Sequence, residues 1–426
     1  MLFEQQSEYF FVCILNKGNY FNHLLNLFLN STQLQSSRAP SGGWRSPRNK
    51  QQCQNQSKTQ KNEVEAEDQE KEIKEMAPRA SCQTMCPAQE LWNRESQNRL
   101  HCFEVVPGTE SFRKPKGDPL RAVKEYSRPA AGKDVTKPSY LRPPDVLLKT
   151  VCYLIDEIAG STSLHPWTEV YSFVFDRLRS VKQDMIIQRL SGKDCVAILE
   201  LTVRFHIYAS YRLCGEPLRI FDPRINDTHL QEYLNWLFDC YKTGTGPYPN
   251  QEEFQTLGLL YNLGSSPATQ DVLELPERLR QTPSLKLALA INQAFLEGNH
   301  VHLLRLVQKL DFLQTCALHR HLVTCRRHLL LIYSHGYHSR NCRFPLDRLA
   351  QLLSLEPSLT AELCQVYGIE VNQHNQVLFS KSAFTEPEQG ELDCKLYHSI
   401  VSEKQRGLTS HAVLAERSEQ RTQKSE

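Results

Sequence analysis

The stretch INQAFLEGNHVHLLRLVQKL, Ile291 to Leu310, decides how the rest of the chain is read. Ile291 and Phe295 lie one turn apart and close one amphipathic helix, and Leu303, Leu304 and Val307 open the next. Between them, Gly298-Asn299 supplies residues that tolerate a left-handed backbone. The pattern predicts a helical hairpin. A lone hairpin leaves an apolar side uncovered, so it calls for neighbours of the same kind.

Those neighbours are present upstream. Leu147, Val151, Leu154 and Ile158 fall at helical spacing, as do Val174, Leu178, Val181 and Met185, and again Leu230, Leu234, Leu237 and Tyr241. Helices restart after Pro249, Pro267 and Pro283, where proline suits a first turn. Downstream, a long helix is expected over about Leu313 to Tyr333, then two shorter ones in PLDRLAQLLSL and SLTAELCQVYG. IEVNQHNQVLFSKSAF alternates like a hairpin turning at His374-Asn375. Three helices followed by a hairpin is the order of a winged helix. The fold class is therefore all-α: a tetratricopeptide-like helical-repeat solenoid of degenerate period, followed by a winged helix with a small β-hairpin.

Composition bounds the function. Lys and Arg total 50 and Asp and Glu 48, a net of +2, which predicts no global pull toward nucleic acid or membrane. No run reaches the roughly 18 apolar residues of a spanning helix, and no secretory signal is expected at the start. The 14 cysteines are scattered without framework spacing and read as reduced, intracellular, mostly buried thiols. Residues 1–78 read as a disordered or weakly ordered extension, on their Gln/Asn/Ser/Lys-rich middle. Residues 79–143, dense in proline, read as an ordered strap laid over a helical body at 144–310. The winged-helix region is expected at 311–384 and a polar, fraying tail at 385–426.

Three groups of residues are candidates for chemistry. Cys82 and Cys86, with Met85 between and Pro87 after, make half a zinc site; the missing ligands would have to come from the adjacent His101 and Cys102, an awkward source. Their spacing excludes a Cys-x-x-Cys redox pair, so they read as packing residues. Asp176, Arg177, Arg179, Lys182 and Asp184 share one helix, and Glu200 and Arg204 form an i, i+4 pair. Paired carboxylates suit acid/base catalysis, but each acid here has a base within a turn, so an ion network tying neighbouring helices is the expectation. Finally, His319, Arg320, His321, Arg326, Arg327 and His328 lie on one predicted helix, with Arg340, Arg343 and Arg348 following. That basic stripe suits a phosphate backbone or an acidic protein partner; His-x-His faces apart on a helix and does not suit a metal. Phe205 falls in the apolar run Ile198, Thr202, Phe205, Ala209 and reads as core. No glycine-rich phosphate loop, no nucleophile elbow, no cofactor site and no metal site is read from the sequence.

Several of these residues carry a resemblance. Cys82-Gln83-Thr84-Met85-Cys86-Pro87, Arg94-Glu95, Phe103-Glu104, the run Ala122 to Gly132 (with Lys124, Tyr126 and Arg128), Leu141-Arg142-Pro143, Asp176 to Asp184, Glu200, Arg204-Phe205-His206 and Gly298-Asn299 occur in the order of the Sac-three/GANP domain. The chain resembles that family over about residues 80–384. The resemblance implies a non-enzymatic scaffold with a PCI-type winged helix. It implies docking to a PCI-domain protein and a small acidic protein, with nucleic acid as a further ligand and no small-molecule substrate. The family includes mRNA-export scaffolds of the nucleus. Its short vertebrate members, which this chain is most like, are linked to centrosome duplication, spindle function and mitotic progression, in the cytoplasm and cytoskeleton.

Overall fold

A computed structural model describes residues 78–128, 136–161, 165–339, 341–385, 400–405 and 408–415. The extension expected over 1–78 lies outside these but for its last residue, and so do Arg340 and the final stretch of the tail. The described chain is mostly helical, with one small three-stranded sheet.

The proline-dense segment runs as hydrogen-bonded irregular backbone. It contains α1 (Ala88–Ser96), which starts directly after Pro87, and two 3-10 turns, Cys102–Glu104 and Pro138–Tyr140. Its parts are tied to one another by main-chain bonds from Ser81 to Pro138 (2.9 Å), Cys82 to Leu141 (3.0 Å) and Lys124 to Met85 (3.0 Å).

The helical body begins with α2 (Pro144–Tyr153), which continues into a π turn at Leu154–Ala159. There follow α3 (Trp167–Ile187), α4 (Lys193–Arg212), α5 (Pro223–Thr243), α6 (Gln251–Tyr261), α7 (Ser266–Leu273), α8 (Glu277–Arg280), α9 (Pro283–Leu296) and α10 (His300–Val307). Pro144, Pro223, Pro267 and Pro283 each sit in a first turn, where the missing N–H leaves no bond unmade. α4 is buried around its whole circumference from Val203 to Tyr211, which makes it the central helix. Phe205 is fully buried there, stacked against Trp167 and Tyr171 at 6.0 Å from each. The hairpin expected at Ile291 to Leu310 is α9 and α10. Gly298 takes the left-handed backbone at φ 70°, and the Asn299 side chain accepts the His302 N–H at 3.1 Å, capping α10.

α11 (Phe312–Gly336) packs back onto α4 and α6 as well as onto α10. Its first half, Phe312 to Cys325, belongs to the main core. Its second half, through Leu329 and Leu330, belongs to a second core with α12 (Leu346–Leu353), α13 (Pro357–Val366) and the sheet. This one helix, which begins just past the border expected at residue 310, therefore serves both cores, and the change from one core to the other falls within it. The sheet has the order β1 (Phe344–Pro345), β3 (Gln376–Leu378), β2 (Glu370–Val371), all antiparallel, with Phe344 opposite Val377 and Val371 opposite Val377 on the other side. Asn375 takes φ 54° in the β2–β3 turn, as the His374-Asn375 reading anticipates. β1 leaves no mark in the sequence pattern, since two residues ending in proline have no alternation to read.

The described parts of the tail are not merely polar. Residues 400–405 and Ser410–Ala415 are helical, and Ile400, Val401 and Leu414 are buried in the main core. The Lys404 ammonium donates to the carbonyls of Val307 (2.7 Å) and Leu310 (2.8 Å) and to the Thr315 hydroxyl (3.0 Å).

Candidate functional site: the strap–helix ion network and the basic helix

Two buried carboxylates organise the contact between strap and α3. Asp184, on α3, accepts from Arg142 Nε at 2.7 Å and from Lys124 Nζ at 2.6 Å. Arg142 also donates to the Met85 carbonyl (3.2 Å) and to Ser180 Oγ (3.0 Å), and Lys124 to the Tyr140 carbonyl (2.8 Å). Glu104, at the end of the first 3-10 turn, accepts from Arg94 Nη1 at 2.6 Å, from Arg177 Nη2 at 3.2 Å and from the Val123 N–H at 3.0 Å. Burial pushes the Glu104 carboxyl up, but Arg177 and Arg94 outweigh it and hold it below the usual carboxylate range. Asp184 and Glu104 are fully buried, as are Arg94 and Arg142. Arg177 also lies over the Phe173 ring.

The remaining strap residues fall around this network. Asp176 pairs with Arg177 and accepts the Tyr126 N–H at 3.2 Å, while the Arg179 guanidinium stacks 3.8 Å above the Tyr126 ring. Lys182 pairs with Glu232 at 2.5 Å. Arg128 is exposed at the edge of the described strap. Cys82 and Cys86 are buried, each sulfur with its own partner. Cys82 Sγ donates to the Thr84 carbonyl at 3.3 Å, and Cys86 Sγ accepts from Arg94 Nη2 at 3.2 Å. Burial pushes the Cys86 thiol up to about 12, which leaves it an unreactive proton-bearing group.

Two expectations are corrected. Glu200 and Arg204 are not one ion pair. Arg204 forms a fork with Glu253 of α6, Nε to Oε1 and Nη2 to Oε2 at 2.9 Å each, while Glu200 accepts from Tyr241 (2.7 Å) and Asn250 (2.8 Å). On an interior helix both side chains reach neighbouring segments instead of each other. Nor do the basic residues of α11 form a stripe. Arg326 is fully buried and donates to the carbonyls of Leu353 (3.1 Å) and Ser354 (3.3 Å), because α11 is sandwiched between two cores. Desolvation lowers its guanidinium to about 10. Arg320 pairs with Asp227 at 2.7 Å and stacks on Tyr261. Arg327 meets His328 at 3.2 Å, and the His328 ring lies tilted against His300, centroids 5.4 Å apart. Arg343 and Arg348 are exposed beside β1 and α12.

What sequence spacing did not reveal is the role of Arg94, Glu104 and Arg142. Glu104 is 73 residues from Arg177, and Arg142 is 42 from Asp184. Only the ordered motifs of the family resemblance carried these residues; no local period could.

Residues 85–373 match the model of the SAC3/GANP family, a span that holds Glu104, Arg142, Arg177, Asp184 and most of the second core. The chain belongs to the SAC3/GANP family. It is 28% identical to Protein xmas of Drosophila melanogaster over 326 residues, 73% of this chain and 16% of that protein. It is 28% identical to SAC3 family protein 1 of Schizosaccharomyces pombe over 330 residues, 71% of this chain and 31% of that protein. It is 26% identical to SAC3 family protein B of Arabidopsis thaliana over 311 residues, 68% of this chain and 17% of that protein. This SAC3/GANP chain thus aligns with less than a third of each relative's length. No helix among its described residues is long and apolar enough to cross a membrane.

Proposed function

We propose that this SAC3/GANP chain is a non-enzymatic docking scaffold whose helical-repeat body carries a PCI-type winged helix formed by α11 to β3. The observation that carries the reading is the use of its buried charges. Asp184, Glu104 and Glu253 are each paired with guanidinium or ammonium groups that join segments distant in the sequence. Carboxylates held that way brace a docking frame; a general acid or base needs a proton path to a substrate. The partners are a PCI-domain protein and a small acidic protein, by family resemblance. The setting is centrosome duplication, spindle function and mitotic progression.

A second reading, nuclear mRNA export with nucleic acid bound, is favoured by the exposed Arg343 and Arg348, which suit phosphates. Affinity purification of the tagged full chain from synchronised cells, with imaging of its location, tests both. Recovery of centrosomal proteins with signal at spindle poles supports the first reading. Nuclear signal with RNA in the eluate supports the second, provided Arg343→Gln with Arg348→Gln lowers the log–log salt slope of RNA binding by about 0.7–0.9 per lost contact. A chain recovered alone overturns the scaffold reading.

A further inference from the structure

We propose that His101, Cys102 and Glu169 form a zinc site that pins the strap to the first turn of α3. The residues come from two segments: His101 and Cys102 open the first 3-10 turn of the strap, and Glu169 is the third residue of α3. Adjacent residues seldom aim at one point, but here the turn makes them converge. Cys102 Sγ is 3.2 Å from Glu169 Oε1, and His101 Nε2 is 3.9 Å from the same oxygen; His101 Nδ1, 3.4 Å from Sγ, accepts the Phe103 N–H at 3.4 Å, which leaves Nε2 as the ring nitrogen for an ion. The three ligand atoms all lie within 4.8 Å of one another. Ligands at about 2.0–2.3 Å around a tetrahedral zinc are separated by roughly 3.3–3.8 Å, so a cluster spread over as much as 4.8 Å closes on an ion by drawing in about 1 Å.

The surroundings hold these groups in place. The His101 ring packs between Phe103 and Phe173, with centroids 4.8 and 4.7 Å away. The second oxygen of Glu169 meets His165 Nδ1 at 3.1 Å, the kind of outer contact that orients a ligating carboxylate. A thiolate, an imidazole and one carboxylate select zinc over calcium or magnesium, which prefer all-oxygen sites. Cys102 and Glu169 face solvent enough for an ion to enter, and water completes the fourth position. On binding, the zinc–sulfur bond replaces the Cys102 thiol S–H bond, the proton passes to solvent, and zinc stays divalent. Cys82 and Cys86 take no part, since each sulfur is buried with another partner.

The test uses the full chain stripped of metal by a chelator and titrated with zinc and, separately, with cobalt(II). The expected result is one zinc per chain, a thiolate-to-cobalt charge-transfer absorption, and a melting temperature raised by zinc. Cys102→Ser and Glu169→Gln should each remove the absorption or cut zinc affinity at least tenfold and abolish the thermal shift. His165→Ala should weaken zinc by about 10–100-fold, as outer-contact losses do. Cys82→Ser with Cys86→Ser should leave stoichiometry and absorption intact. Circular dichroism of Cys102→Ser separates lost metal from lost fold, and if that variant misfolds the Glu169→Gln result stands for it. No thiolate–cobalt absorption in the wild-type chain, or one that survives Cys102→Ser, overturns the proposal: the three groups would then be a hydrogen-bonded cluster only.

Discussion

Asp184 faces two cations, Arg142 and Lys124, with no exposed surface of its own. Buried pairs like these contribute little net stability compared with apolar packing, yet breaking one is costly because the surviving charge stays buried. Asp184→Asn is therefore expected to lose about 3–5 kcal/mol, read as a lower midpoint in urea. The substitution is nearly neutral for helix propensity, so α3 itself is not the cause. Phe205→Ala tests a different force at the same scale. The ring is fully buried between Trp167 and Tyr171, and truncating a buried Phe costs about 3–5 kcal/mol, so the variant should melt well below wild type. An unchanged melting temperature in either variant would remove that residue from the core.

At the scale of elements, α11 carries the most consequential correction. Its apolar periodicity was legible, because Leu318, Leu322, Cys325 and Leu329 recur at helical spacing and are all buried. That both sides of the helix would be covered was not legible, since a helix carrying so many cations reads as a solvated one. Arg326 is the residue on which the two readings part. Its guanidinium closes the last turn of α12 by satisfying the Leu353 and Ser354 carbonyls. Arg326→Gln should cost about 1–3 kcal/mol through those carbonyls, with the second core loosening first in hydrogen exchange. An Arg326→Gln variant as stable as wild type, with unchanged exchange in α12, would contradict the buried placement. The same limit explains Glu200 and Arg204: an i, i+4 spacing shows that two side chains can meet, but only the arrival of Glu253 from α6 decides that they do not. The hairpin at Gly298-Asn299 was readable because its turn, cap and apolar faces all lie within 20 residues; β1 and the Arg94–Glu104–Arg177 cluster depend on chain that returns from far away.

For the whole molecule, the packing of helices around α4 sets a pH dependence. His206 is buried beside Asn226, whose Oδ1 lies 2.8 Å from Nδ1 and whose amide donates to the His206 carbonyl at 3.1 Å. Tyr171 also donates to that Oδ1, so the oxygen accepts and Nδ1 carries the proton, leaving Nε2 bare. Burial is the main reason the imidazole is lowered to about 4, and the nearby His229 and Lys182 charges lower it further. His300 is lowered to about 4 as well, chiefly by burial. In the unfolded chain both titrate near 6.5. Between about pH 6.5 and 4 the unfolded state therefore binds protons that the folded state refuses, and stability must fall as pH falls through that window. Each fully shielded histidine contributes about 1.4 kcal/mol per pH unit there, or roughly 3 kcal/mol across it. Urea unfolding at a series of pH values should show this slope, steeper than one group alone provides. His206→Gln, which keeps an amide donor for Asn226, should remove one proton's share of the slope between pH 4 and 6.5 while leaving the share of His300. A variant with the wild-type slope would mean that His206 is charged in the folded protein, and the interior around α4 would then have to hold an uncompensated cation.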